Sequence, residues 1–153
     1  MTTLEKFITE LEAAIPKQEI INWEVSHSSV GWHIEHTLLT LCIIIDAIKN
    51  SDPKEYKWTF SGKRFLLLLF KFIPRGKAKA PGVVQPRQYD TETLKTHIQK
   101  VNTKLKEINT LHPDNYFTHP YLGKLKLKPA LKFLEIHTHH HLHIIHDILA
   151  KKQ

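Results

Sequence analysis

Four stretches of the chain carry apolar residues at helical spacing, and this pattern restricts the fold more than any other feature. The apolar residues recur every three or four positions, which is the repeat of one helix face. The stretches begin at Thr2, at Ser28 or Ser29, at Asp90 and at Pro129. No segment shows the alternation of apolar and polar residues that is typical of a strand. We therefore predict an all-α protein, built as a four-helix bundle.

The connection between the second and third predicted helices is the longest in the chain. It runs for about forty residues, which is too many for a plain link between neighbouring helices, so we expect it to contain structure of its own. The nearly all-apolar run 65–73 predicts a short helix pressed against the bundle. A membrane-surface role for this run is less favoured, because no polar face opposes the apolar one. At 153 residues the chain fits a single domain, 1–153.

The excess positive charge of the chain is concentrated in this crossover. The formal net charge is +7, and eight basic residues with no acidic one lie between Lys57 and Tyr89. Such a segment favours small anionic partners, and Arg75, Lys77 and Lys79 are candidates for an anion-attracting loop. A solvated loop whose charges aid solubility explains the same residues. Nucleic acid is disfavoured, because the chain shows no recognition helix, zinc-finger spacing or aromatic stacking motif.

The amino-terminal segment and the single cysteine bear on location. The start of the chain has no basic region followed by an apolar one, and we expect no transmembrane segment, because no apolar stretch approaches the roughly 20 residues that cross a bilayer. Cys42 lies among aliphatic residues and is expected to be a small buried hydrophobe. We therefore expect a cytoplasmic protein.

The last predicted helix carries a cluster of histidines whose positions on the helix differ. His137 and His141 fall on the apolar side, whereas His139, His143 and His146 fall on the polar side. A buried imidazole is unfavourable unless its nitrogens find partners. The i, i+4 spacing brings two side chains roughly 5 to 6 Å apart at their β-carbons, and one helix can thereby offer two nitrogens to one metal ion. We predict a transition-metal site that includes His137 and His141.

The second helix supplies the natural third ligand, since a metal site rarely rests on two histidines. It contains both His33 and His36. Either side chain can point towards the axis of a helical bundle, and the periodicity alone does not choose between them.

A wider pattern joins these residues. Ser29-Val30 near the start of the second helix is followed by His36, seven positions after the hydroxyl, and His137 and His141 follow on the last helix. In this the chain resembles the DinB-like superfamily of metal-binding four-helix bundles, which includes bacillithiol transferases and a mycothiol-dependent maleylpyruvate isomerase. The segments 119–125 and 140–142 look like one subgroup of unknown function within it.

The resemblance implies more than the pattern alone. It implies an up-down-down-up bundle with a long, partly helical crossover between helices 2 and 3, and it favours His36 as the third ligand. It also implies Zn²⁺ or Ni²⁺ as the metal and a low-molecular-weight thiol as cosubstrate. Proteins of this type often form dimers, and the first helix offers a surface for a homodimer. The sequence alone does not establish whether this chain dimerises.

Three neutral imidazoles would leave a divalent ion its full charge and an open coordination position, which is typical of catalytic sites. The leading hypothesis is therefore a metal-dependent enzyme that activates a thiol or water against an electrophilic small molecule, as a thiol S-transferase or a hydrolase. No residue outside the ligands matches a catalytic role. The alternatives are a non-catalytic metal-binding protein of stress response or regulation, and a metal-free hydrogen-bonded core that serves as a scaffold.

Other residues are expected around this site. His33 is expected to support a ligand or line the cavity, and His140 is a second candidate for such a place. Trp32 is expected in the core rather than as a substrate platform. His119, ahead of Pro120, lies near the site or serves only to form a turn. Three further histidines are expected at the surface or in helix caps: His27, His97 and His112.

Overall fold

The computed structural model describes residues 1–76 and 81–150. Within these ranges the chain forms five α-helices and one two-stranded antiparallel sheet. The helices are α1 (Thr3–Ala14), α2 (Val30–Lys49), α3 (Gly62–Phe70), α4 (Thr91–Glu107) and α5 (Leu127–Ala150). The strands are β1 (Tyr116–His119) and β2 (Gly123–Lys126). The prediction of an all-α protein is therefore right in the main, and the sheet is an addition to it.

The helices start where their capping residues predict. Thr2 and Glu5 exchange side-chain and backbone hydrogen bonds as a capping box before α1. Ser29, and not Ser28, is the residue whose hydroxyl accepts from the backbone N–H three residues on and begins α2. The carboxylate of Asp90 accepts from the backbone N–H of Thr93 and begins α4 in the same way.

Helix α5 starts two residues before the predicted Pro129. It begins at Leu127, which places Pro129 third in the first turn. A proline is tolerated there, because the backbone N–H groups of the first turn have no partner within the helix. The next two residues of the sequence, Lys151 and Lys152, lie outside the described residues.

The hairpin of β1 and β2 was not predicted. Tyr116 pairs with Lys126 and His119 with Gly123, so the two strands have only four residues each. Gly123 has φ +72°, which is the left-handed region that glycine adopts most readily. Strands this short show too little alternation to be recognised in a sequence.

Helix α2 is central among the described elements. It packs against α4 and α5, and α1 packs against the same two helices. Its side chains Ile34, Leu38 and Leu41 are fully buried, and Cys42 is buried as predicted. Burial of such apolar side chains is the main source of stability in a fold of this size. The up-down-down-up arrangement of the four long helices as a bundle stays a prediction.

By length and composition α2 would also suit a membrane span, in contrast to the expectation above. It has 20 residues, and 72 % of its most apolar stretch is buried inside the protein. The same properties belong to a core helix of a protein that never enters a bilayer. They are therefore only weak evidence for a membrane span.

Helix α3 differs most from its prediction. It was predicted to press its apolar residues against the bundle, yet none of its residues is buried. Phe65 is 58 % exposed and Phe70 is 68 % exposed. Leu67 is partly buried against the core, and Arg64 is also turned inward, where it donates to the backbone carbonyls of Leu122 and Lys124.

The last residues of the crossover, near Tyr89, contact the amino-terminal end of α2. The hydroxyls of Tyr89 and Ser29 are 2.7 Å apart and hydrogen-bonded. Gly31 makes this approach feasible, since a β-carbon there would lie 2.6 Å from Cε2 of Tyr89 and 3.1 Å from the backbone oxygen of Gln18. The crossover is thereby held against the helix that carries His33 and His36.

Candidate metal centre

Three histidines from α2 and α5 meet in the interior. Each of His36, His137 and His141 offers one ring nitrogen, and the three nitrogens lie within 4.8 Å of one another. His36 and His141 are buried and His137 is half-buried. The group contains His36 and leaves His33 outside, which is the choice that periodicity could not make. This arrangement is close enough to hold a metal ion.

The closest pair of nitrogens has a separation that suits a shared ion. Nε2 of His36 and Nε2 of His137 are 3.3 Å apart. Two nitrogens on one tetrahedral ion, each at about 2.0 to 2.1 Å from it, would be about 3.3 Å apart. Only a small adjustment of the side chains would therefore be needed between these two residues.

The other nitrogen of His36 is fixed by the crossover. Nδ1–H donates to the backbone oxygen of Val84 at 2.7 Å. A carbonyl oxygen can only accept, so the proton of the neutral ring is on Nδ1 and the lone pair is on Nε2. A backbone partner of this kind is typical of histidines that bind metals, because it sets the tautomer and the ring orientation.

A second chain of hydrogen bonds supports His141. Its Nδ1 is 3.0 Å from Nδ1 of His33, and Nε2 of His33 is 3.0 Å from the hydroxyl of Ser26. If His141 donates to His33 and His33 donates to Ser26, the lone pair of His141 is on Nε2, where a ligand needs it. His33 is therefore in direct contact with a candidate ligand, and its supporting role stays a prediction.

His137 has no such support. Its Nδ1 is buried and has no hydrogen-bond partner among the described residues. Ligation through Nε2 would place a proton on this nitrogen, and a water molecule would have to accept it. His137 is therefore the least constrained of the three side chains.

Burial keeps these imidazoles neutral. It lowers the pKa of His36, and it lowers the pKa of His137 and His141 well below the usual value, with neighbouring histidines adding to the effect. Burial also lowers the pKa of His33 to about 3 and, together with Arg75, the pKa of His140 to about 4. The neutral ring is the form that binds a metal, so all three candidate ligands are in the right state near neutral pH. The chemistry of the donor set fits a divalent transition metal.

Aromatic residues line the site. The half-buried ring of Trp32 stacks on His36, with centroids 5.0 Å apart and planes at 11°. His119 contacts Phe133 edge-on at 4.9 Å, and Phe133 lies 5.8 Å from His137. Trp32 is therefore half-buried against a candidate ligand rather than deep in the core, and Phe133 lies between His119 and His137. Nδ1 of His119 also accepts from the backbone N–H of Tyr121, as its turn-forming alternative requires.

The predicted anion-attracting loop is only partly described. Arg75 forms an ion pair with Asp147 of α5 at 2.7 Å, so its charge is already offset by a carboxylate. It nevertheless lies near enough to half-buried His140 to lower that residue's pKa. Lys77 and Lys79 lie outside the described residues.

The remaining histidines follow their predictions with one exception. His139, His143 and His146 on the polar face of α5 are exposed, as are His27 and His112. His97 was expected at the surface or in a cap, but it is half-buried and its Nδ1 lies 2.9 Å from the carboxylate of Glu35. Glu35 is buried against α4, and a buried carboxylate requires such a partner.

Two supporting residues were missed by sequence reasoning. Val84 acts through its backbone oxygen, which has no signature in a sequence. Ser26 lies seven residues before His33 in a loop, and no helical spacing connects them.

No protein-family model, curated protein or solved structure matches this chain. The resemblance to the DinB-like superfamily therefore stays a prediction from the motif. The arrangement of the histidines is independent of it.

Proposed function

We propose that this protein is a metal-dependent enzyme of the thiol S-transferase or hydrolase type, with His36, His137 and His141 as the ligands of Zn²⁺ or Ni²⁺. The observation that carries the proposal is the approach of the three nitrogens to within 4.8 Å. We place it in the cytoplasm, in a DinB-like up-down-down-up four-helix bundle, with a small electrophile or anion as substrate.

The residues of the chain would hold this site in a fixed geometry. The carbonyl of Val84 orients His36, and the pair of His33 and Ser26 orients His141. A divalent ion, when bound, would supply a Lewis acid that brings the pKa of a thiol or water towards neutrality. Three protein ligands leave one position of a tetrahedral site for the substrate, and a low-molecular-weight thiol would take it.

A non-catalytic role is the second candidate, and burial favours it. His36 is 4 % exposed and His141 is 8 % exposed. An ion held this deeply would bind the native state and not the unfolded chain, and it would therefore stabilise the fold. For a regulatory or stress-response protein, a metal ion that stabilises the fold is sufficient, and no catalytic activity is required.

Metal content tests the ligand assignment. The protein is purified without a histidine tag, and its metal is measured by elemental analysis. We expect about one divalent ion per chain, lost in H36A, H137A and H141A and retained in H139A and H146A. The last two serve as matched controls, since they remove exposed imidazoles from the same helix. Equal loss in all five variants would contradict the assignment.

Turnover separates the enzyme from the stabilising ion. Metal-loaded and metal-stripped protein are screened with thiols against electrophiles, and with activated esters. Activity that requires the ion and disappears in H36A supports the enzyme. Metal binding without activity on any substrate favours the second candidate, and activity that survives removal of the ion contradicts the proposal.

A further inference from the structure

A second surface of the molecule, distinct from the histidine site, has an unusual composition. Helix α3 and the segments beside it expose large apolar side chains, each more than half accessible to solvent. We call these residues the α3 surface: Trp58, Phe60, Phe65, Leu66, Leu69, Phe70 and Phe72. Exposed apolar groups that are adjacent, as these are, mark a place of interaction in most proteins.

Helix α3 packs Leu67 against the core but turns most of its large apolar side chains to the solvent. At 100° per residue, Phe65, Leu66, Leu69 and Phe70 fall within one arc, and this arc faces the solvent. A surface helix normally turns its apolar arc towards the core. The most apolar side of α3 is therefore left for something outside the chain.

Arg64 holds the helix in this orientation. Its guanidinium donates to the backbone oxygens of Leu122 at 3.3 Å and Lys124 at 2.8 Å, and also to that of Thr59. Rolling α3 to bury its apolar arc would break these hydrogen bonds and leave the hairpin carbonyls unpaired. The hydrogen bonds of Arg64 therefore keep the α3 surface exposed to solvent.

Positive charge surrounds the α3 surface. Lys57, Lys63 and Lys71 are exposed among its apolar residues. No acidic residue occurs between positions 56 and 89. A partner that covers these apolar groups would therefore meet several cations and no anion of this segment.

We propose that the α3 surface binds an anionic lipid bilayer. Aromatic and leucine side chains would enter the boundary between headgroups and acyl chains, and the lysines would contact the anionic headgroups. Trp58 has the apolar ring and polar N–H that suit this boundary. This inference does not depend on the proposed function of the histidine site.

Charge also argues against a second copy of the chain as the occupant. A symmetric dimer brings the same patch of two molecules together, so Lys57, Lys63 and Lys71 would face their own copies. Like charges placed across an interface are unfavourable. An anionic bilayer instead pairs each of these lysines with an opposite charge.

Vesicle flotation of the full chain tests the apolar part of the proposal. Binding is compared on vesicles of phosphatidylcholine alone and of equal parts phosphatidylcholine and phosphatidylglycerol. We expect binding to the anionic vesicles only, and a loss of about tenfold or more in F65S/L69S. Both positions are exposed, so circular dichroism of this variant should match that of the original chain.

A pair of charge variants tests whether the location of the lysines matters. K63Q/K71Q removes two charges beside the α3 surface, and we expect about fivefold weaker binding for each lysine removed. K6Q/K106Q removes two exposed lysines from α1 and α4 and should bind as the original chain does. Equal losses in both variants would mean that only net charge matters and would overturn the proposal.

Two tryptophans provide a matched pair for fluorescence. Trp58 is 68 % exposed and Trp23, outside the α3 surface, is 66 % exposed. Anionic vesicles should shift the emission of the original chain to shorter wavelength, and W58F but not W23F should abolish this shift.

Three further results would overturn the proposal. One is absence of binding to anionic vesicles, and another is equal binding to neutral ones. The third is a dimer in sedimentation velocity that F65S/L69S dissociates, without vesicle binding, which would assign the α3 surface to a second copy.

Discussion

Nδ1 of His36 donates to the carbonyl of Val84 and its Nε2 lies 3.3 Å from Nε2 of His137, whereas His33 lies outside the three candidate ligands and contacts His141. If His33 only orients His141, its replacement should weaken metal binding without removing it. We expect H33F to lose about 10- to 100-fold in affinity for Zn²⁺, as is typical when a partner of a ligand is removed. Isothermal titration measures this, with H143A as an exposed control on α5. Complete loss of binding in H33F, as in H36A, would instead make His33 a ligand.

Gly31 is a residue whose lack of a side chain has a measurable consequence. A β-carbon there would contact Tyr89 at 2.6 Å and the backbone oxygen of Gln18 at 3.1 Å. We expect G31A to lower the free energy of unfolding by about 1 to 3 kcal/mol, through overpacking. G82A is the control, because a β-carbon at Gly82 meets nothing within 4 Å. Urea unfolding compares the two, and equal stabilities would contradict the prediction.

Periodicity predicted which histidines of α5 point inward, because side-chain direction on a helix follows from the helical repeat. It placed His137 and His141 on one side and His139 on the other. It could not predict the partner of His36, since the backbone oxygen of Val84 is provided by a distant segment whatever its side chain.

Among the elements, the start of α2 depends on one hydroxyl. Ser29 accepts from the backbone N–H of Trp32 and is bonded to the hydroxyl of Tyr89. We expect S29A to lower the free energy of unfolding by about 1 kcal/mol or slightly more, since it removes the cap and leaves Tyr89 without this partner. S28A, one residue earlier, should change it by less than about 0.5 kcal/mol. Thermal unfolding followed by circular dichroism is sufficient, and a larger effect of S28A would refute the assignment of the cap.

The elements that sequence reasoning described well are those with local signals. The caps at Thr2, Ser29 and Asp90 act on neighbouring backbone groups, so their residue types are sufficient. The orientation of α3 has no local signal, because Arg64 is held by carbonyls of the hairpin about sixty residues further on. Composition predicted that the apolar run is pressed against the bundle; Leu67 does pack against the core, but none of the residues of α3 is fully buried.

For the whole molecule, the buried histidines predict sensitivity to acid. In the metal-free protein the pKa values of His33 and His140 are lowered from 6.5 to about 3 and about 4. Between about pH 6.5 and pH 4 the unfolded chain therefore binds protons that the folded chain does not, and stability falls as pH falls. One buried histidine of this kind contributes up to about 1.4 kcal/mol per pH unit.

Urea unfolding of the metal-free protein across this range measures the slope. H33Q should reduce the slope, and H143Q, which removes an exposed imidazole, should leave it nearly unchanged. Stability that stays constant or rises on acidification would contradict the prediction.

For the whole molecule, the hydrophobic pattern of the sequence predicts the fold class, but it does not predict every element of the fold. Long amphipathic repeats predicted a mostly helical chain, because burial of apolar faces determines such packing. The hairpin and the exposed α3 surface arise from the crossover and from the segment before α5. Their contacts join residues far apart in the chain, and no periodicity describes such contacts.

The hydrogen bond from His36 to Val84 couples the crossover to the interior histidine site, so a change at either one affects the other. A ligand that prefers the His36 tautomer fixed by Val84 must, by thermodynamic reciprocity, also favour the docked state of the segment around Val84. Chelation of the ion should then increase amide exchange and protease cleavage near residues 82–84. Amide exchange and protease cleavage of this one segment would therefore indicate whether the interior site holds a metal ion.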